Sequence, residues 1–103
     1  MSERVAGFDW DDCNRTKCTG HGVSIDEIES VFRGEIWVFP DLAHSIRETR
    51  FLGIGRTSAG RYVFTAFTLR TRHGERWIRP ISARFMHAKE VSHYQAEIAR
   101  RQN

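Results

Sequence analysis

The stretch RYVFTAFTLRT, residues 61–71, is apolar on both of its alternating faces. Tyr62, Phe64, Ala66 and Thr68 lie on one, and Val63, Thr65, Phe67 and Leu69 on the other. A strand of that pattern needs cover above and below and a partner on each side, so it predicts the centre of a sheet. The flanking segments supply partners. EIWVFP reads as a strand ended by Pro40, RFLGIGR as a second, and RWIRPISAR as a fourth after the central one. TSAG and the RHG at 72–74 are turns between them. Pro80 has no N–H for a ladder, which predicts an edge strand or a bulge there.

Before residue 35 the period is helical. Ser24 with Glu27 three residues on is a capping box, and Val23 with Ile28 forms a hydrophobic staple. Ile25, Ile28, Val31 and Phe32 then make one apolar face, predicting a helix from about 25 to 33 that stops at Gly34. FDW at 8–10 suits a short strand, and DDCNRTKC a short helix opened by Asp11 or Asp12. Val91, Tyr94 and Ile98 mark a closing helix that docks one stripe on the sheet. The expected class is α+β: N-terminal helices, an antiparallel sheet of about four strands and a C-terminal helix, in a single domain over 1–103.

Such a domain has room for one modest core. No apolar run nears the roughly 18 residues of a membrane span, and the N-terminus lacks the pattern of a signal peptide, so a cytoplasmic address is expected. Net charge is only +3, but its distribution is uneven. Residues 1–49 carry 5 Lys/Arg against 10 Asp/Glu; residues 50–103 carry 11 against 3, and ten of those eleven cations are Arg. Guanidinium groups match phosphate oxygens and stack on bases, so an Arg-rich half points to nucleic acid. The competing reading is that the two halves neutralise each other within the fold.

CNRTKCTGHGVS, residues 13–24, sets Cys13, Cys18 and His21 near one another. Zinc takes four ligands, usually as two close pairs, and an i, i+5 pair on a helix leaves from different sides, so no metal site is expected. Reduced thiols are the plainer reading. His21 sits between two glycines in a turn, and His87 between an Arg-rich strand end and the last helix. Arg50, Arg56, Arg70, Arg79 and Arg84 fall in or at the ends of the strands, where a sheet could gather several for successive phosphates, with Phe and Trp to stack unpaired bases. Edge solvation or pairing with Glu48 or Glu75 is the alternative for any one of them.

FDWDDCNRTKC, HGVSIDEIESVF, HSIRETRFLGIGRTSAGR and RPISARFMHAKEVSHY, in that order, resemble the BrnT-like toxins of bacterial type II toxin–antitoxin systems, over roughly residues 8–95. Positions that match the family's pattern are Trp10, Asp11, Asn14, Lys17, His21, Gly22, Val23, Glu48, Arg50, Gly55, Gly60, Arg61, Arg70, Arg79, Ser82, Arg84 and Tyr94. The resemblance implies a small fold similar to RelE ribonucleases, an endoribonuclease (mRNA interferase) activity, no cofactor, RNA as substrate, and a BrnA-like antitoxin as partner in a hetero-oligomer. In a metal-independent mechanism by 2′-OH attack, Arg84, Arg79 and Arg70 would clamp phosphate. His87 or His21 would act as acid or base, with Glu48 as orienting partner or alternative base. Arg50, Arg56 and Lys17 would bind RNA. Gly20 stands where many relatives carry Lys, and Cys13 where many carry a small residue. The alternative reading is a non-catalytic member that still binds antitoxin or RNA.

Overall fold

The computed structural model describes residues 4–102. In chain order the elements are β1 (Gly7–Phe8), α1 (Asp12–Thr19), α2 (Ile25–Arg33), β2 (Ile36–Pro40), a 3-10 turn (Leu42–His44), β3 (Phe51–Arg56), β4 (Tyr62–Arg72), β5 (Glu75–Phe85) and α3 (Ala88–Arg101). The α+β class matches the expectation, with two differences of detail. The sheet has five strands in the order β1-β5-β4-β3-β2, and it is mixed, because β1 runs parallel to β5. The short strand expected at 8–10 stands one to two residues earlier, at Gly7–Phe8, and joins the sheet as a fifth strand ahead of the helices.

β4 lies at the middle, as its two apolar faces require. Val63 and Phe67 are fully buried on the side covered by α1 and α2, where Cys18, Val23, Ile28, Val31, Val63 and Ala83 form the core. The helix α2 approaches closely because β3 offers glycine beneath it. A Cβ on Gly55 would stand 2.9 Å from Val31 Cγ1 and 3.1 Å from the Glu35 carbonyl oxygen. Both helices start on a side-chain cap: Asp11 accepts from the Asn14 N–H at 3.0 Å, and Ser24 from the Glu27 N–H at 3.1 Å.

Pro80 is accommodated by a bulge and by its place beside β1. Register slips so that Ala66 faces Ser82 and Phe67 faces Pro80, leaving Ile81 unopposed. β1 pairs only as far as Phe8 with Ile78, so beyond it Pro80 meets no strand that would need its N–H. Its carbonyl instead accepts from Asn14 Nδ2 at 2.9 Å, and the same amide donates to the Asp9 carbonyl at 2.9 Å. Asn14, 3% exposed, thereby fastens α1 to both β5 and the end of β1.

The opposite face of the sheet is covered loosely. The expected stripe on α3 exists, with Val91, Tyr94 and Ile98 half-buried, but α3 buries no residue fully. Tyr94 meets Tyr62 edge to face with 5.7 Å between ring centroids. An apolar trough of about 680 Å³, floored by Ile54 and Phe64, runs along the helix. No helix among the described residues is long and apolar enough to cross a membrane.

Candidate functional site

Four segments end at the same corner of the molecule. The α1–α2 turn brings His21, the residue before β4 is Arg61, β5 ends with Arg84 and Phe85, and His87 caps α3. Together with Met86 they line a pocket of about 380 Å³ whose walls hold two guanidinium groups, two imidazoles and no carboxylate. The turn is set by Gly22, whose φ of +89° favours glycine, and by the Gly22 N–H donating to the Thr19 carbonyl.

Each cation here is fixed by its own neighbours. Arg61 lies flat over Phe85, with its guanidinium carbon 3.5 Å from the ring centroid, and makes no ion pair among the described residues. Arg84 rests over Phe64 at 5.1 Å and is gripped end-on by Glu90, Nη1 donating to Oε1 at 2.8 Å and Nη2 to Oε2 at 2.9 Å. Glu90 Oε1 also accepts from the His87 N–H at 3.0 Å, tying the start of α3 to the end of β5. The Arg84 guanidinium, then the His87 N–H, hold the Glu90 carboxyl down at about 2, and Glu90 in turn raises Arg84. Two of the five N–H donors of Arg84 are engaged; its Nε–H and one hydrogen on each terminal nitrogen remain.

Arg84, His87 and His21 therefore come together, whereas Arg79 and Arg70 do not join them. Along β4, Arg84 faces Phe64, Arg79 faces Thr68, and Arg70 lies two residues further. At the usual strand rise these positions are about 13 and 20 Å from Arg84, too far apart for one phosphate. Arg79, with a side chain 13% exposed, reaches Asp11 at 2.9 Å and Asp9 at 3.8 Å, and so anchors the N-terminal segment. The Asn14 N–H first, and Arg79 with it, lower the Asp11 carboxyl. Arg70 pairs with Glu48 at 3.3 Å, which takes Glu48 away from both imidazoles. Arg50 lies beyond it, beside the loop that joins β2 to β3, its N–H bonded to Ser45 Oγ. Lys17 is exposed in the last turn of α1, and Arg56 stacks on Tyr62 at 5.3 Å on the face that carries α3.

Cys13 is exposed and Cys18 fully buried, so the two thiols leave α1 on different sides. Burial pushes the Cys18 thiol up to about 11, which keeps it protonated. Among the described residues no three His, Cys, Asp or Glu side chains are grouped so as to hold a metal ion.

Sequence reasoning did not place Arg61 or Glu90 in the candidate pocket, although Arg61 is among the positions that match the family pattern. Glu90 did carry a signal, a carboxylate three residues after a helix cap, but its grip on a strand residue six positions back depends on how β5 turns into α3. A search of curated protein sequences returned no match. The family model described as "Ribonuclease toxin, BrnT, of type II toxin-antitoxin system" matches residues 10–90, well over half of the chain and all four segments of the pocket. This chain belongs to the BrnT family of type II toxin–antitoxin ribonuclease toxins.

Proposed function

We propose that the protein cleaves single-stranded RNA without a metal ion, by attack of a 2′ hydroxyl on the adjacent phosphorus, in the pocket between the α1–α2 turn and the start of α3. The observation that carries this reading is the convergence of His21, Arg61, Arg84 and His87 on one pocket with no carboxylate in its lining. One imidazole takes the 2′-OH proton as the oxygen attacks. The other protonates the 5′ oxygen as its bond to phosphorus breaks, leaving a 2′,3′-cyclic phosphate and a free 5′ hydroxyl. Negative charge grows on the phosphoryl oxygens in the transition state. The free N–H groups of Arg84, held rigid by Phe64 and Glu90, are poised to receive it, with Arg61 as the second cation.

The N-terminal acids engage Arg70, Arg72 and Arg79, and their absence from the pocket is what leaves its cations for substrate. A BrnA-like antitoxin in the cytoplasm is the partner this reading requires. Gly20, where many relatives carry Lys, favours a second reading, a non-catalytic member that binds RNA or antitoxin alone.

A single-stranded RNA cut by the purified protein separates the two. Products ending in 2′,3′-cyclic phosphate, with protection when the nucleotide 5′ to the cut is made 2′-deoxy, support the mechanism. Cleavage that ignores the 2′-deoxy substitution contradicts it, and intact RNA under all conditions supports the non-catalytic reading.

A further inference from the structure

Next to the phosphate pocket, on the sheet face under α3, lies a second, smaller cavity of about 250 Å³. Its walls include Trp37 from β2, Tyr62 from β4 and Tyr94 from α3, with Arg56, Glu35 and Gln95 among the polar groups at its sides. The volume falls below the range of about 300 to 1,000 Å³ that suits drug-sized ligands, and so fits one ring system rather than a whole nucleotide. Aromatic walls with a donor and an acceptor at the rim are what a flat heterocycle with polar edges requires. Arg56 stacks on Tyr62, and no ion pair joins it to Glu35 among the described residues, so a cation and a carboxylate both stay open to a ligand. Gln95 Nε2 donates to the Tyr62 hydroxyl at 3.5 Å, which steadies the ring that floors the cavity. Burial, before any charge nearby, pushes Tyr94 up to about 12, so its hydroxyl is a donor throughout the neutral range.

The register relates this cavity to the phosphate pocket. Arg56 faces Tyr62 and Arg84 faces Phe64, and Tyr62 and Phe64 are alternate residues on one face of β4. They stand about 7 Å apart along the strand, and Arg56 and Arg84 flank β4 from opposite sides, two strand spacings or roughly 10 Å across the sheet, a separation that a base and a neighbouring phosphate can span.

We propose that the cavity between Trp37, Tyr62 and Tyr94 receives one unpaired base of the RNA, adjacent to the phosphate held at Arg84. It makes this toxin a reader of base shape at one position as well as a phosphate binder. The proposal rests on the ribonuclease reading above and adds a subsite to it.

The test uses the full chain and an end-labelled single-stranded RNA made uncleavable by 2′-O-methyl groups, with one abasic residue moved along the strand. Binding is followed by fluorescence anisotropy for the native protein and for Trp37→Leu and Arg56→Gln, with circular dichroism to check that the variants fold. One abasic position is expected to weaken native binding about tenfold, and Trp37→Leu to weaken binding of the intact strand by a similar factor. The abasic strand is expected to bind Trp37→Leu no worse than the intact strand does, since the same contact is already lost. Equal effects of every abasic position in both proteins overturn the proposal, as does a Trp37→Leu protein that loses antitoxin binding while RNA affinity is unchanged. If Trp37→Leu does not fold, Arg56→Gln carries the same comparison. Cleavage of the unmodified strand, measured alongside, keeps the two readings apart: cleavage without any base-position effect overturns the base cavity alone, and neither binding nor cleavage overturns both.

Discussion

At Arg84 a single guanidinium meets an aromatic face, a carboxylate and an open pocket, and which of these dominates decides what Glu90 is for. The end-on grip leaves three N–H donors pointing elsewhere, so Glu90 orients Arg84 rather than satisfying it. Glu90→Gln is expected to lower kcat/KM for RNA cleavage roughly ten- to hundredfold by letting the guanidinium drift. A rise in activity would mean that Glu90 blocks the pocket. Gly20 is the other informative residue. Its φ of −62° and ψ of −18° are ordinary right-handed helical values, and a Cβ would lie 3.4 Å from the Thr16 carbonyl oxygen, a normal contact. Nothing in the backbone there requires glycine. Gly20 is the C-cap of α1, so Gly20→Lys is expected to add about 0.5 kcal/mol of helix stability, chiefly by placing a cation at the helix C-terminus beside His21. RNA affinity would then rise, with a salt dependence steeper by about one counterion. Affinity titrations at several salt concentrations check this.

Among the elements, those with strong periodicity were legible and those set by tertiary pairing were not. The two apolar faces of 62–69 identify the central strand, and the capped stripe of 24–33 identifies α2. β1 is two residues long and exists because Ala6 and Asp9 donate to the Arg76 and Ile78 carbonyls. FDW suggests a short strand here, but nothing local encodes its bounds or its parallel pairing with β5. The same holds for Asn14, which the family pattern marks and the structure explains as a clamp rather than a catalyst. Asn14→Ala would leave the buried Pro80 and Asp9 carbonyls without their donor and remove one arm of the α1 cap. A loss of roughly 2–4 kcal/mol in urea unfolding is expected. The helix α3 is the most weakly held element, and its tie to β5 has a defined acid sensitivity. Glu90 titrates ordinarily at 4.5 and is held at about 2 in the fold. A depressed carboxyl stabilises the folded form above its unfolded pKa and loses that contribution as pH falls through the folded one. Protection of the α3 amides in hydrogen exchange is expected not to vary with pH through Glu90 above about pH 5, where its contribution is complete, and docking to weaken between about pH 4.5 and 2 in the native chain. In Glu90→Gln that acid-dependent difference should vanish.

Across the whole molecule the division of charge along the sequence becomes a division of labour in space. The acidic N-terminal half neutralises part of the basic half: Asp9 and Asp11 take Arg72 and Arg79, and Glu48 takes Arg70. The neutralising reading therefore holds for Arg70, Arg72 and Arg79, and the phosphate-binding reading is the one proposed for Arg84 and Arg61. Which arginine belongs to which group was not legible, because equal positions along a strand gave equal claims to a site. Arg84 and Arg79 are five residues apart in sequence, yet one ends at an open pocket and the other, largely buried, is spent on Asp9 and Asp11. The candidate pocket was half legible. His21, Arg84 and His87 were expected as site residues, while their meeting with Arg61 depends on four chain segments finishing at one corner.

The central claim, that this corner cuts RNA through its own side chains, is tested most directly by incubating single-stranded RNA with purified protein in EDTA beside Arg84→Ala and His87→Ala. Circular dichroism confirms that both variants fold. We expect the native chain to cut and each variant to lose about a hundredfold or more in rate. Native cleavage that continues at an unaltered rate in both variants would contradict the assignment of the site.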